Sequence, residues 1–201
     1  FIDEKGEVLS GEELIYILAK YYLSENKIKK GSVIVTNEIA NHGLDISLKK
    51  LGLKLKRVKV GDKNILKEII SNKYFFGGEP SGHFIFKDDI LIGDGMTTAI
   101  RLLTLIIKED KKLSSLKKGI YLLEVININQ RIDREKFYLS QESIYQKLNK
   151  LFKNLDIYYN IRPSGTEPLL RVNLQYDKRN IKVRTLNKLK IQIIKVISDA
   201  C

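Results

Sequence analysis

Two short stretches of this 201-residue chain gather side chains that could hold an oxyanion or a polyol. In NIRPSGTEPLLRV, from Asn160 to Val172, a Pro-Ser-Gly-Thr turn interrupts two apolar runs. Gly165 permits the backbone geometry of a tight loop, so successive N–H groups at Ser164, Gly165 and Thr166 can converge on one oxyanion. The hydroxyls of Ser164 and Thr166 add donors. Arg162 and Arg171 flank the loop with planar, permanently charged forks suited to phosphate. The plainer reading is a strand-turn-strand corner with two surface arginines.

The second stretch is GGEPSGHFIF, Gly77 to Phe86, which sets a carboxylate, a hydroxyl and an imidazole among glycines between two apolar runs. Such a loop can present Glu79 and Ser81 to a polyhydroxylated ligand, with Glu79 accepting two hydroxyl hydrogen bonds. His83 can donate or exchange a proton near neutral pH. Its plainer reading is a tight β-hairpin in which Glu79 is solvated and His83 hydrogen-bonds at a strand start. Further on, Gly93-Asp94-Gly95 precedes an apolar helix from Met96 to Ile107, with Asp94 as its cap and Met96 in the core.

The elements around the Gly77–Phe86 loop alternate. Ser10 can cap a helix beginning near Gly11, whose Leu14, Ile15, Leu18, Tyr21 and Tyr22 recur at helical spacing. SVIVT, Ser32 to Thr36, reads as a buried parallel strand, followed by a helix from Leu44 to Leu51 and a strand from Leu53 to Val58. Gly61-Asp62-Lys63 opens another helix. After a charged segment, Lys108 to Gly119, which reads as a linker, the pattern changes. A strand from Ile120 to Ile128, a helix from Ser140, strands from Ile157 and Leu169, and a long helix from Val183 to Ile197 follow. The expected fold is α/β: a three-layer domain over 1–112 with a mixed, largely parallel sheet, then a smaller α+β domain over 113–201 with an antiparallel sheet and helices on one face.

Hydrophobic residues at 43% and charged residues at 30% describe an ordinary soluble chain, and no apolar run reaches membrane-spanning length. No membrane partner is expected, and a cytoplasmic location is the default. The net charge of +12 raises nucleic acid as a partner. The lysines, however, are spread over nearly every segment and mixed with acids, without a stripe interleaved with aromatics, so none is expected. The single cysteine, Cys201, excludes an internal disulfide and a cysteine-rich metal site. Because the chain opens Phe1-Ile2-Asp3 without Met, apparently within a strand, a fragment of a longer protein is expected.

Four stretches together, Asn41 to Gly52 with Val60-Gly61-Asp62, Gly78-Glu79-Pro80-Ser81-Gly82-His83, Gly93-Asp94-Gly95, and Arg162 to Pro168, resemble the α-D-phosphohexomutase superfamily, most closely its phosphoglucosamine mutase branch. The order and spacing cover the chain from Phe1 to about Ile197. Members have four domains, and this chain resembles the third and fourth. The resemblance implies interconversion of glucosamine 6-phosphate and glucosamine 1-phosphate through a phosphoserine enzyme and a hexosamine 1,6-bisphosphate intermediate, with Mg2+ bound by ligands outside this chain and no metal ligand within it. The phosphoserine loop would also lie outside, so the 201 residues alone are expected to be inactive.

By the same resemblance Glu79, Ser81, Gly82 and His83 contact sugar, His83 assisting proton transfer, while Arg162, Ser164, Gly165, Thr166 and Arg171 hold phosphate. Lys63 stands where the branch commonly has Arg, keeping the charge and losing the bidentate fork. Pro80 should stiffen its loop. The smaller domain is expected to act as a hinged lid that excludes water. Phosphomannomutase or phosphoglucomutase, which share the Gly-Glu-x-Ser-Gly-His loop, and a non-catalytic phosphosugar-binding module remain alternatives. The oligomeric state is not legible.

Overall fold

The computed structural model describes residues 1–89 and 91–201 and divides them into two compact units, Phe1–Leu122 and Leu123–Cys201. The first unit runs α1 (Gly11–Ser24), β1 (Val33–Asn37), α2 (Gly43–Lys50), β2 (Lys54–Val58), α3 (Asp62–Asn72), β3 (Phe76–Gly78), β4 (Phe84–Phe86), α4 (Gly95–Glu109) and α5 (Leu113–Leu116). Its sheet has the order β2-β1-β3-β4, with β1 parallel to both neighbours and β4 antiparallel to β3. Side chains alternate across the pleat. Ile34, Phe76, Phe84 and Phe86 join the cluster containing residues of α1, α2 and α4, while Val35 and Ile85 meet Ile65 and Ile69 of α3. That division makes three layers.

Local chemistry sets the helix starts. Ser10 forms a full capping box with Glu13. Asp94 accepts from the N–H groups of Met96 and Thr97 at 3.3 and 2.7 Å. The Thr97 hydroxyl and those N–H groups hold the Asp94 carboxyl below its usual range. Met96 departs from the sequence expectation. Thr98, Leu102 and Leu105 define the buried face of α4, so Met96 falls on the other side and is 72% exposed.

The division between units falls at 122/123, ten residues beyond the expected 112/113. The segment read as a linker holds the end of α4 and all of α5, whose Leu113 and Leu116 are buried in the first unit's core, and Ile120 and Leu122 pack against the same cluster. Apolar burial, invisible in a lysine-rich stretch, ties it to the first unit.

The second unit comprises β5 (Glu124–Arg131), α6 (Arg134–Phe152), β6 (Ile157–Pro163), β7 (Leu169–Tyr176) and α7 (Val183–Ser198). The sheet order is β5-β7-β6, with β7 antiparallel to both neighbours. Helix α6 begins six residues before Ser140, because Asp133 accepts from the Lys136 N–H and caps it. Ile128, Leu170, Val172 and Leu174 bury one sheet face against Phe137, Ile144, Leu148, Leu189, Ile193 and Ile197 of the two helices. The strand β5 starts at Glu124, later than the expected Ile120. No helix among the described residues is long and apolar enough to cross a membrane.

Candidate functional site

In the first unit the candidate side chains gather where β1 and β3 end, the edge at which open α/β sheets bind ligands. GGEPSGH is a hairpin loop, as the plainer reading had it. Glu79 N–H donates to the His83 carbonyl at 2.9 Å and Gly82 N–H donates to the Glu79 carbonyl at 2.9 Å. Pro80 sits second in this four-residue turn, where its fixed φ is favourable, and Gly82 takes φ +94°.

Glu79, though, is not solvated: it is 6% exposed. Its Oε1 accepts from Asn37 Nδ2 and from the Gly61 N–H, each at 3.0 Å. Only Oε2 remains for a ligand, with Ser81 Oγ at 3.4 Å and His83 Nδ1 at 3.7 Å. Any hydroxyl hydrogen bonds to Glu79 therefore fall on Oε2, because a buried charge needs fixed donors and the protein supplies them to Oε1.

Ser81 Oγ and His83 Nδ1 lie 3.2 Å apart, and the His83 ring is 57% exposed. A Cβ on Gly93 would meet His83 Cβ at 3.3 Å and Asp62 Oδ2 at 3.8 Å, which brings the Gly-Asp-Gly stretch and the start of α3 alongside the imidazole. Lys63 is exposed in the first turn of α3, two residues beyond the Gly61 N–H that holds Glu79.

Three contributors to this loop escaped sequence reasoning. Asn37 anchors Glu79, and the Thr36 hydroxyl donates to the Gly78 carbonyl at 2.8 Å. Their signal was available: a buried parallel strand ending in polar residues at its carboxyl end. Gly11 is the third, since its N–H donates to the Pro80 carbonyl at 3.2 Å and α1 thereby buttresses the loop.

In the second unit the β6–β7 hairpin pairs Arg162 with Arg171 across the strands, and β5 adds Asn129 to the same row. The sheet face opposite the helices thus carries two adjacent guanidinium groups beside the turn. Arg171 is already engaged: its terminal nitrogen donates to Glu167 Oε2 at 2.6 Å, while its Nε is buried without a hydrogen-bond partner. Arg162 makes no ion pair or hydrogen bond through its side chain among the described residues.

Of the three expected N–H donors, Ser164 is committed to the Leu169 carbonyl at 2.8 Å, which closes the turn. Ser164 Oγ, nearly buried, accepts from the Glu167 N–H at 3.3 Å and keeps its own proton to donate. The N–H groups of Gly165 and Thr166 have no acceptor among the described residues and lie at the exposed tip. Arg134, which sequence reasoning missed, donates to the Gly165 and Glu167 carbonyls at 3.4 and 3.1 Å and braces the turn from the start of α6. No spacing rule links positions so far apart in sequence. Among the described residues no group of three or more His, Cys, Asp or Glu side chains could hold a metal ion.

The profile of the family described as phosphoglucomutase/phosphomannomutase, alpha/beta/alpha domain III, matches residues 10–122. The chain is 36% identical over 202 residues to a phosphoglucosamine mutase of Clostridium botulinum, the match covering 98% of this chain and 44% of that protein. It is 39% identical over 178 residues to the phosphoglucosamine mutase of Caldanaerobacter subterraneus, covering 87% of this chain and 40% of that one. Among solved structures, Aspergillus fumigatus N-acetylphosphoglucosamine mutase in complex with GlcNAc-6P and magnesium shares the fold. Its TM-score is 0.76 at 14% identity, with 98% of this chain and 49% of that chain covered. The chain spans a little under half the length of the curated relatives it matches.

Proposed function

The chain belongs to the phosphoglucomutase/phosphomannomutase family, and on that premise we propose that it supplies the sugar-binding and phosphate-binding parts of a cytoplasmic phosphoglucosamine mutase, interconverting glucosamine 6-phosphate and glucosamine 1-phosphate. The observation that carries this reading is the Glu79 carboxylate, buried and fixed through Oε1 while Oε2 stays open beside Ser81 and His83. A sugar hydroxyl donates to Oε2, and Ser81 Oγ takes part in a second hydroxyl contact. The phosphate is gripped by the Arg162 and Arg171 forks, the Ser164 and Thr166 hydroxyls and the N–H groups of Gly165 and Thr166.

In the proposed reaction a phosphoryl group passes from a phosphoserine to a sugar hydroxyl, giving a hexosamine bisphosphate. The hydroxyl that gains the phosphoryl group loses its proton. His83, an exposed imidazole whose Nδ1 lies 3.2 Å from Ser81 Oγ, is the proposed acceptor, and Lys63 contributes positive charge. A substrate turned end for end between two half-reactions must satisfy the same contacts in both poses. Hydroxyl acceptors in one place and phosphate donors in another meet that need. Magnesium, present with the fungal relative, finds no set of ligands among the described residues, so none of these steps is routed through it. The phosphoserine, too, is proposed to lie outside these 201 residues.

The test measures binding and turnover of glucosamine 6-phosphate, glucose 6-phosphate and mannose 6-phosphate with the 201-residue chain. Saturable binding that favours the amino sugar, with no mutase turnover, is the expected result. Equal or better binding of a neutral hexose phosphate would move the reading to the phosphomannomutase or phosphoglucomutase branch. Turnover by this chain alone would overturn the division of labour.

A further inference from the structure

Away from the Glu79 loop, the first unit holds a cavity of about 580 Å3 between the second half of α1, the end of α4 and α5. That volume lies within the range of small-molecule sites, roughly 300–1,000 Å3. Ile17 and Ser24 on its wall stand about 9 to 20 Å beyond Gly11 along the helix axis, at about 1.5 Å per residue. The cavity is therefore at the opposite end of α1 from the Glu79 loop.

The interior is apolar, with Ile17, Leu105 and Leu116 buried among its lining. Its rim is cationic. Lys111 is taken by Glu109, 2.5 Å away, but Lys20 and Lys118 have no carboxylate partner among the described residues. The lining hydroxyls of Ser24 and Ser115 spend their protons on the carbonyls of Tyr21 and Lys112, at 2.8 and 2.7 Å. Besides the Tyr21 hydroxyl, the donors left in the lining are thus ammonium groups, which call for an acidic head group. An apolar interior excludes a polyol, whose hydroxyls would lose water without gaining partners.

We propose that this cavity is a second ligand site, separate from the Glu79 loop, that takes a small amphipathic carboxylate such as a medium-chain fatty acid. The hydrocarbon body lies against Ile17, Leu105 and Leu116, and the carboxylate sits between Lys20 and Lys118. Lysines, compact charges on flexible stems, suit a head group that enters at several angles.

The test titrates decanoate into the methyl-labelled 201-residue chain by NMR. One saturable site is expected, with shifts concentrated on the methyl groups of Ile17, Leu105 and Leu116. The doubly substituted Lys20→Glu, Lys118→Glu chain, altered only at exposed positions, should bind at least ten-fold more weakly with its methyl dispersion intact. Decanol should bind at least ten-fold more weakly than decanoate. Absence of saturable shifts, equal affinity in the double variant, or shifts gathered instead on exposed Met96, Ile100 and Leu103 of α4 would each overturn the assignment.

Discussion

A Cβ placed on Gly11 would lie 2.2 Å from the carbonyl oxygen of Glu79. The first turn of α1 and the turn that carries the buried carboxylate meet backbone to backbone, and neither can yield as the end of a flexible side chain would. Gly11→Ala should therefore destabilise the chain by about 1–3 kcal/mol, the cost of overpacking, and weaken glucosamine 6-phosphate binding by displacing Glu79. Gly95→Ala, where nothing lies within 4 Å, is the control and should leave the melting temperature level or slightly raised. An unchanged melting temperature and affinity in Gly11→Ala would show that the helix does not support the loop.

Glu79→Ala removes the acceptor for Asn37 Nδ2 and for the Gly61 N–H. Leaving the buried Asn37 amide unpaired should cost about 1–3 kcal/mol and the half-buried Gly61 N–H less, read as a drop in the denaturation midpoint. Adding Asn37→Ala to it should cost less than the sum of the separate losses, since the two residues share one hydrogen bond. Glu79→Gln, which keeps a carbonyl for the inner donors, should stay close to wild-type stability and lose sugar affinity, because an amide then replaces Oε2. Full affinity in Glu79→Gln would remove the carboxylate from the site.

Arg162 and Arg171 should respond in opposite ways to their surroundings. Arg162→Ala removes the fork with no competing acid and should weaken binding of sugar phosphate by roughly ten- to a hundred-fold, as expected for hydrogen bonds to a charged group worth about 1.5–3 kcal/mol. Glu167→Gln releases the terminal nitrogen of Arg171 from its 2.6 Å ion pair and should strengthen binding. Calorimetric titrations of both variants decide it, and a loss of affinity in Glu167→Gln would mean that the pair is needed to aim the guanidinium.

His42 offers a pH signature independent of the loops. Burial and then the neighbouring Arg57 charge push its imidazole below the ordinary value of 6.5, against a smaller opposing pull from Asp45. Above 6.5 the ring is neutral in folded and unfolded chains alike, so its contribution is constant there. Between the depressed folded value and 6.5 the unfolded chain binds more protons, so stability falls as the pH drops through that window. Chemical denaturation between pH 7.5 and 5.5 should show this loss, and His42→Gln should flatten it. A slope that survives the substitution would assign the effect to other groups.

The two loops were legible because their chemistry is local. Pro80 and Gly82 make one tight turn, Gly165 and its neighbours another, and within each the donors lie only a few residues apart. The layer order was legible for a similar reason, since alternating SVIVT-type strands and helical stripes leave few ways to bury both sheet faces. The starts of α1 and α4 follow from their caps at Ser10 and Asp94, whereas α6 starts at the Asp133 cap and not at Ser140; the stripe of α4 does not by itself say which face is covered, and Met96 lies on the exposed one.

The sequence alone therefore determined most of the elements, the two turns and the kinds of group each turn could offer. Tertiary structure alone decided which of those groups stay available. Packing the end of β1 and the start of α3 beside the hairpin turns Asn37 and the Gly61 N–H onto Glu79 Oε1 and leaves Oε2. Strand register sets Arg162 beside Arg171, and Glu167, four residues before Arg171, occupies one fork and not the other. The physical reason is that a hydrogen bond is satisfied by whatever lies within about 3 Å, and over separations such as 37 to 79 or 134 to 167 that distance is set by the folded chain and not by the order of its residues.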